Sequence, residues 1–245
     1  MAGRKRNRIM EGIKRDPLAT ENRVNAEQGS WSRDVLVIGI GNILWADEGF
    51  GPRAASCFHK RFRDVPGVDV MDGGTLGNYL INEITSSRRI LVFDCCDFKS
   101  EPGTFRVLSG EEVSLWRSTK ISPHQTGLND LLAMAEMMGS TPESLVVVGV
   151  QPEVLDDYGG SLSATCRARL ADAMDAAAKV MADWGYQLEE RTEEERAALP
   201  PLAWDELEMD AYEAGRPSDD DACRAGDERF MRRVAGHREN PFEDL

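Results

Sequence analysis

Three short runs of β-branched and leucine side chains, at residues 35–40, 90–93 and 145–150, constrain this chain more than any other feature. Apolar runs of that length read as strands buried on both faces. Between them the apolar period becomes helical, over residues 52–62 and 76–84, with a further strand at residues 68–71. Leu128, Leu131, Leu132, Ala135 and Met138 share one face of a helix that Gly139 can close. Leu162, Cys166, Leu170, Met174, Ala177, Met181 and Trp184 line a long final helix, and residues 104–108 alternate as an edge strand does. The expected fold class is α/β: a single three-layer domain with a mostly parallel sheet covered by helices on both faces.

The pattern is confined to residues 34–188. Residues 1–33 hold eight basic and four acidic side chains, and residues 189–245 hold 18 acidic and eight basic ones, with Pro200, Pro201 and an aspartate run at 219–221. Neither end offers enough apolar surface to offset the entropy of ordering. Both are expected to be flexible, largely disordered extensions, with short helices allowed at residues 204–214 and 227–234. The acidic one reads as solubilising.

Composition excludes several functions. A net charge of −14 argues against a nucleic-acid partner. No apolar run approaches the roughly 18 residues of a membrane helix, and the basic residues 4–8 lack the apolar stretch of a secretory signal. Five cysteines, Cys95 and Cys96 adjacent and no C-x-x-C pair, point to a reducing cytoplasm rather than a disulfide scaffold or zinc knuckle. A monomer is expected.

In an open α/β sheet, ligands bind beyond the carboxyl ends of the strands. The first strand runs into Gly39-Ile40-Gly41-Asn42-Ile43-Leu44, which begins like a dinucleotide fingerprint. Leu44 stands where the third glycine belongs, and Asp47 and Glu48 follow where a phosphate would be repelled. Helix capping accounts for one of these carboxylates and less well for both. Asp72 ends the second strand before Gly73-Gly74-Thr75, a turn in which Thr75 can open a helix. Asp94 ends the third strand and points at the crevice; Cys95 and Cys96 read as small buried hydrophobes. Of three histidines, His124 lies in the polar loop Ser122-Pro123-His124-Gln125-Thr126-Gly127, while His59 and His237 read as structural or solvated. Gathered at one edge, Glu48, Asp94 and His124 would offer two oxygens and an imidazole to a divalent metal such as zinc or nickel. There is no G-x-S-x-G elbow; Cys95 or Cys96 beside His124 stays open as a cysteine nucleophile.

Four segments in this order, GIGNILWADEGFG, MDGGTLG, ILVFDCCD and ISPHQTGL, with VVVGVQPE as a fifth, resemble the nickel–iron hydrogenase maturation proteases. The resemblance covers nearly all of residues 34–188 and neither extension, and the DEGFG form is similar to members serving uptake hydrogenases. It implies an endopeptidase that removes a short carboxyl-terminal extension from the hydrogenase large-subunit precursor after nickel insertion. The family's metal-contacting and catalytic positions map by resemblance onto Glu48, Asp94 and His124. Nickel would be presented by the substrate, with no permanently bound cofactor. Two other readings compete: a metallochaperone that holds nickel without cleaving anything, and a dinucleotide-dependent oxidoreductase using the Gly39 loop.

Overall fold

The computed structural model describes residues 31–113 and 123–218, with the side chains of 123–127 and 129 also outside the described set. Its centre is a five-stranded sheet: β1 (Arg33–Ile40), β2 (Val68–Gly74), β3 (Ser87–Cys95), β4 (Phe105–Ser109) and β5 (Ser144–Val150), in the order β2-β1-β3-β5-β4. β2, β1, β3 and β5 run parallel, and β4 pairs antiparallel with β5 at the edge. The expected α/β class, the mostly parallel sheet and the edge strand are all present.

Strand alternation builds two cores. Val35, Val37, Leu91, Phe93, Val146 and Val148 face α1 (Phe50–Arg61), while Leu36, Ile38, Ile90, Val92 and Val147 face the opposite side. The second face is covered by α2 (Ile81–Thr85) and α3 (Pro123–Met137) through Ile84, Leu128, Leu131 and Leu132. The first face is completed by α4 (Ala164–Asp183), which buries Cys166, Leu170, Ala173, Met174, Ala177 and Met181. Ser163 caps α4 by accepting the Cys166 amide, and Gly139, at φ +67°, follows α3 as expected.

The segment after Leu188 departs from the expectation of a mostly disordered extension. Residues 189–218 fold back along α1, forming α5 (Glu193–Ala198), a 3₁₀ turn (Asp205–Leu207) and α6 (Met209–Ala214). Charge complementarity holds them. Arg63 pairs with Glu189 and Glu195, Arg61 with Glu190, Arg191 with Asp64, and Glu208 accepts from both Ser56 and Lys60. Glu213 accepts from Ser161 and Arg167, and Arg216 binds Asp157. Thr192 and Glu195 close a capping box on α5, and Leu202 and Met209 pack on the α1 core. Acidic composition misled because it ignores the basic stripe of α1 that neutralises it. Residues 1–30 and 219–245, including the helix allowed at 227–234, lie outside the described residues.

Candidate active site

β1 is the first strand laid down, and its neighbours β2 and β3 lie on opposite sides of it. The chain therefore reverses its direction of sheet growth between β1 and β3, the switch point where open α/β sheets bind ligands. Glu48 follows β1 and Asp94 ends β3, in strands whose register pairs Gly39 with Phe93. The two carboxylates thus belong to the two strand ends that frame the crevice.

The loop carrying Glu48 is shaped by close backbone approach. Gly41 has φ +140°, and a Cβ there would sit 1.9 Å from the Glu48 carbonyl oxygen, which instead accepts the Asn42 amide at 3.1 Å. A Cβ on Gly51 would meet the Ile40 and Phe93 carbonyl oxygens at 2.1 and 2.4 Å. The start of α1 therefore lies flush on the ends of β1 and β3. Against a dinucleotide stand Leu44 at the third glycine position, and Asp47 and Glu48 where a phosphate would be repelled. Ala46 adopts φ +43°, a left-handed conformation that costs an alanine about 1 kcal/mol and so marks a position held by its surroundings.

Asp47 and Glu48 differ in burial. The Asp47 side chain is fully buried and caps neither its own turn nor α1. Its Oδ2 accepts the amides of Glu153 and Val154 at 2.9 and 2.8 Å, and its Oδ1 accepts that of Ser163 at 2.7 Å. This carboxylate clamps the β1 loop to the β5–α4 connection. Glu48 is half-buried. Asp94 is 3% exposed, and its Oδ1 accepts the Cys95 amide at 2.8 Å.

Burial, followed by the carboxylate of Asp94 and then by Cys166, Asp47 and Glu48, pushes the Cys95 thiol well above its ordinary range. Cys166 is pushed up to about 12, by burial first and then by Asp47. A nucleophilic cysteine needs the opposite surroundings. Cys95, half-buried against the first core, accordingly serves as a small packing residue, and the cysteine-nucleophile reading loses its support there.

His124 lies in the first turn of α3 rather than in a loop before it, because Pro123 takes the first helical position and Gly127 is absorbed into the helix. Its imidazole lies outside the described side chains. Among the described residues no three His, Cys, Asp or Glu side chains gather as a metal-holding group. β2 runs two residues beyond Asp72, to Gly74; Asp72 sits beside a register shift and accepts the Gly74 amide at 2.9 Å, and burial raises its carboxyl despite that bond and nearby Arg53. The 3₁₀ turn Gly77–Leu80 starts without a side-chain cap, so Thr75 does not open it. His59 meets the Pro200 carbonyl at 3.1 Å on the far side of α1, a structural contact.

Two functional supports escaped sequence reasoning. The Asp47 clamp is one. Gln151 is the other: its Oε1 accepts the Phe98 amide at 2.7 Å, and its Nε2 donates to Asp97 at 3.3 Å, ordering the loop after Asp94. Only the VQPE match drew attention to that strand end, and neither partner is local.

The fold and the site define an α/β protein with acidic residues at the switch point of its sheet. A family model described as hydrogenase maturation protease matches residues 52–180. The hydrogenase expression/formation protein HoxM of Cupriavidus necator is 43% identical over 202 residues, covering 80% of this chain and 98% of that one. The hydrogenase 2 maturation protease of Escherichia coli is 34% identical, over 62% of this chain and 93% of that one. Among solved structures, the hydrogenase maturating endopeptidase HybD from E. coli superposes with a TM-score of 0.62 at 33% identity, covering 64% of this chain and 98% of that one. The chain belongs to the hydrogenase maturation protease family, and it is a peptidase.

Proposed function

We propose that this peptidase removes a carboxyl-terminal extension from the large-subunit precursor of a nickel–iron hydrogenase once nickel is in place. The observation that carries the reading is the placement of Glu48 and Asp94 at the β1–β3 switch point, with Asp47 spent as a clamp. Together with the His124 imidazole they make a donor set of two oxygens and one nitrogen, of about −2 charge, suited to a divalent ion that still carries ligands of its own. The nickel is cargo of the substrate in this scheme. Recognition and licensing would then be one event, because two carboxylates brought against a precursor without its cation gain no counter-charge and disfavour the unloaded form. A carboxylate not engaged by the ion is placed to take a proton from the attacking water. The family named by the comparisons, whose members include maturation endopeptidases, supports cleavage over a metallochaperone role. Cys57, Cys95, Cys96 and Cys166 form no disulfide, which suits action in the reducing cytoplasm.

The test mixes chelator-stripped full chain with precursor in nickel-loaded and nickel-free forms and follows cleavage by mass spectrometry. Cleavage of the loaded form alone is expected. Equal cleavage of both would leave a metal-independent peptidase, and activity restored only by added zinc would make the enzyme a resident-metal hydrolase. Glu48→Gln, Asp94→Asn and His124→Ala should each abolish processing while His59→Ala and His237→Ala retain it.

A further inference from the structure

Two loops beyond the strand ends bring four large apolar side chains to the surface. Leu44 and Trp45 come from the β1 loop and Leu155 and Tyr158 from the segment after β5, with exposures of 39%, 37%, 45% and 48%. Trp45 and Tyr158 meet edge to face with ring centroids 5.1 Å apart, and their backbones form an isolated antiparallel bridge. The Gly159 amide donates to the Leu44 carbonyl at 2.7 Å, and the Asp47 amide to the Val154 carbonyl at 3.1 Å. The buried Asp47 carboxylate locks the same two loops from the Glu153, Val154 and Ser163 side. These contacts make one fixed platform out of two connections.

Tryptophan and tyrosine held rigid at a surface are the residues that most often dominate protein–protein binding energy. This platform is also continuous with the site. The Glu48 amide donates to the Trp45 carbonyl at 2.9 Å, so Trp45 opens the very turn that carries Glu48. The platform therefore adjoins Glu48 through the backbone of one short turn. Its surroundings are acidic: Glu153 and Asp156 are exposed beside it, and Asp157 is bound by Arg216. An apolar contact with two exposed carboxylates, Glu153 and Asp156, along one side favours an apolar segment with a basic side chain beside it.

We propose that Leu44, Trp45, Leu155 and Tyr158 form the docking platform for the large-subunit precursor, receiving an apolar stretch, with a basic side chain beside it, next to its scissile bond. The identity of the partner rests on the function proposed above. The experiment uses full-length protein and a nickel-loaded large-subunit precursor, and measures both Kd and steady-state cleavage. Trp45→Ser and Tyr158→Ser should each raise Kd and KM by about tenfold, the scale of a contact that matters at an interface, with kcat changed by less than about twofold. Leu155→Arg, outside the Glu48 turn, should do the same, so the result does not hinge on distortion of that turn. Met137→Ser, at an exposed position on α3, should change neither constant. Thermal unfolding of the variants should match the unaltered protein.

Unchanged Kd in the three platform variants overturns the proposal. A fall in kcat at unchanged Kd overturns it too, since Trp45 would then only support the Glu48 turn. A precursor bound through the platform and never cleaved leaves the platform standing and refutes the peptidase assignment. Cleavage with Kd indifferent to the platform does the reverse.

Discussion

Asp47 is a clamp and Glu48 a proposed ligand, and measurement can separate the two roles. Asp47 accepts three backbone amides from chain 106 to 116 positions away and is fully buried. Asp47→Asn would turn an amine toward one of those donors and leave it unsatisfied, at a cost of about 2–3 kcal/mol. It should lower the unfolding temperature and impair processing together. Glu48→Gln should impair processing at nearly unchanged unfolding temperature, and equal thermal effects of the two would refute the division of labour. Asp72 offers a pH test. Burial raises its folded pKa above the unfolded value, so its stabilising contribution is complete below the unfolded pKa and is lost as pH rises through the folded one. Asp72→Asn, which keeps an acceptor for the Gly74 amide, should therefore raise the unfolding temperature at pH 7 and change it little near pH 3. A larger gain at the acidic end would contradict the assigned cause. Asp34 has the opposite sign. The Tyr186 hydroxyl, then Arg89 and Arg88, hold its carboxyl below the usual range, so its contribution is present above the unfolded pKa and lost as pH falls through the folded one.

α1 does more than cover the sheet. Its buried face, Phe50, Ala54, Ala55 and Phe58, packs on β1 and β3, while Arg53, Ser56 and Lys60 turn toward the returning segment. Arg53 donates to the Leu207 carbonyl and lies 5.1 Å from the Tyr212 ring centre, and burial lowers its pKa. Single exposed ion pairs are worth little, so the hold of this segment comes from several acting together with Leu202 and Met209. Ending the chain after Leu188 should leave a cooperative transition lowered by about 4–8 °C, the equivalent of about 2 kcal/mol in a domain of this size. Calorimetry of the shortened and full chains decides. An unchanged midpoint would reduce the segment to a loose appendage, and loss of cooperativity would make it part of the core.

Across the whole molecule, a charge of −14 sets the conditions under which a partner approaches. If the precursor meets the acidic side of the platform through a basic side chain, raising salt from about 0.05 to 0.5 M should lower kcat/KM through association while kcat holds. Stopped-flow binding at several ionic strengths measures this, and a rate indifferent to salt would argue for a purely apolar contact.

How much was legible in the sequence follows from the range of the interactions concerned. Periodicity is local, and it located the strands, most of the helices, the edge strand and the closing role of Gly139. Because strand ends are local too, Glu48, Asp94 and their motifs could be singled out before any fold was known. The order of the strands is not local. It alone puts β1 beside β3 and so makes their two ends one crevice. The partition between Asp47 and Glu48 depends on amides more than 100 positions distant, which no window of sequence contains. The return of residues 189–218 depends on pairing with Lys60 and Arg61 of α1 and with Arg63 just after it, some 130 to 150 positions earlier, invisible to a count of net charge. Sequence by itself determined what each segment is able to become, through side-chain period and turn chemistry. Tertiary structure decided which of those segments meet, because buried hydrogen bonds and charge pairs are satisfied only by groups that folding brings from far along the chain.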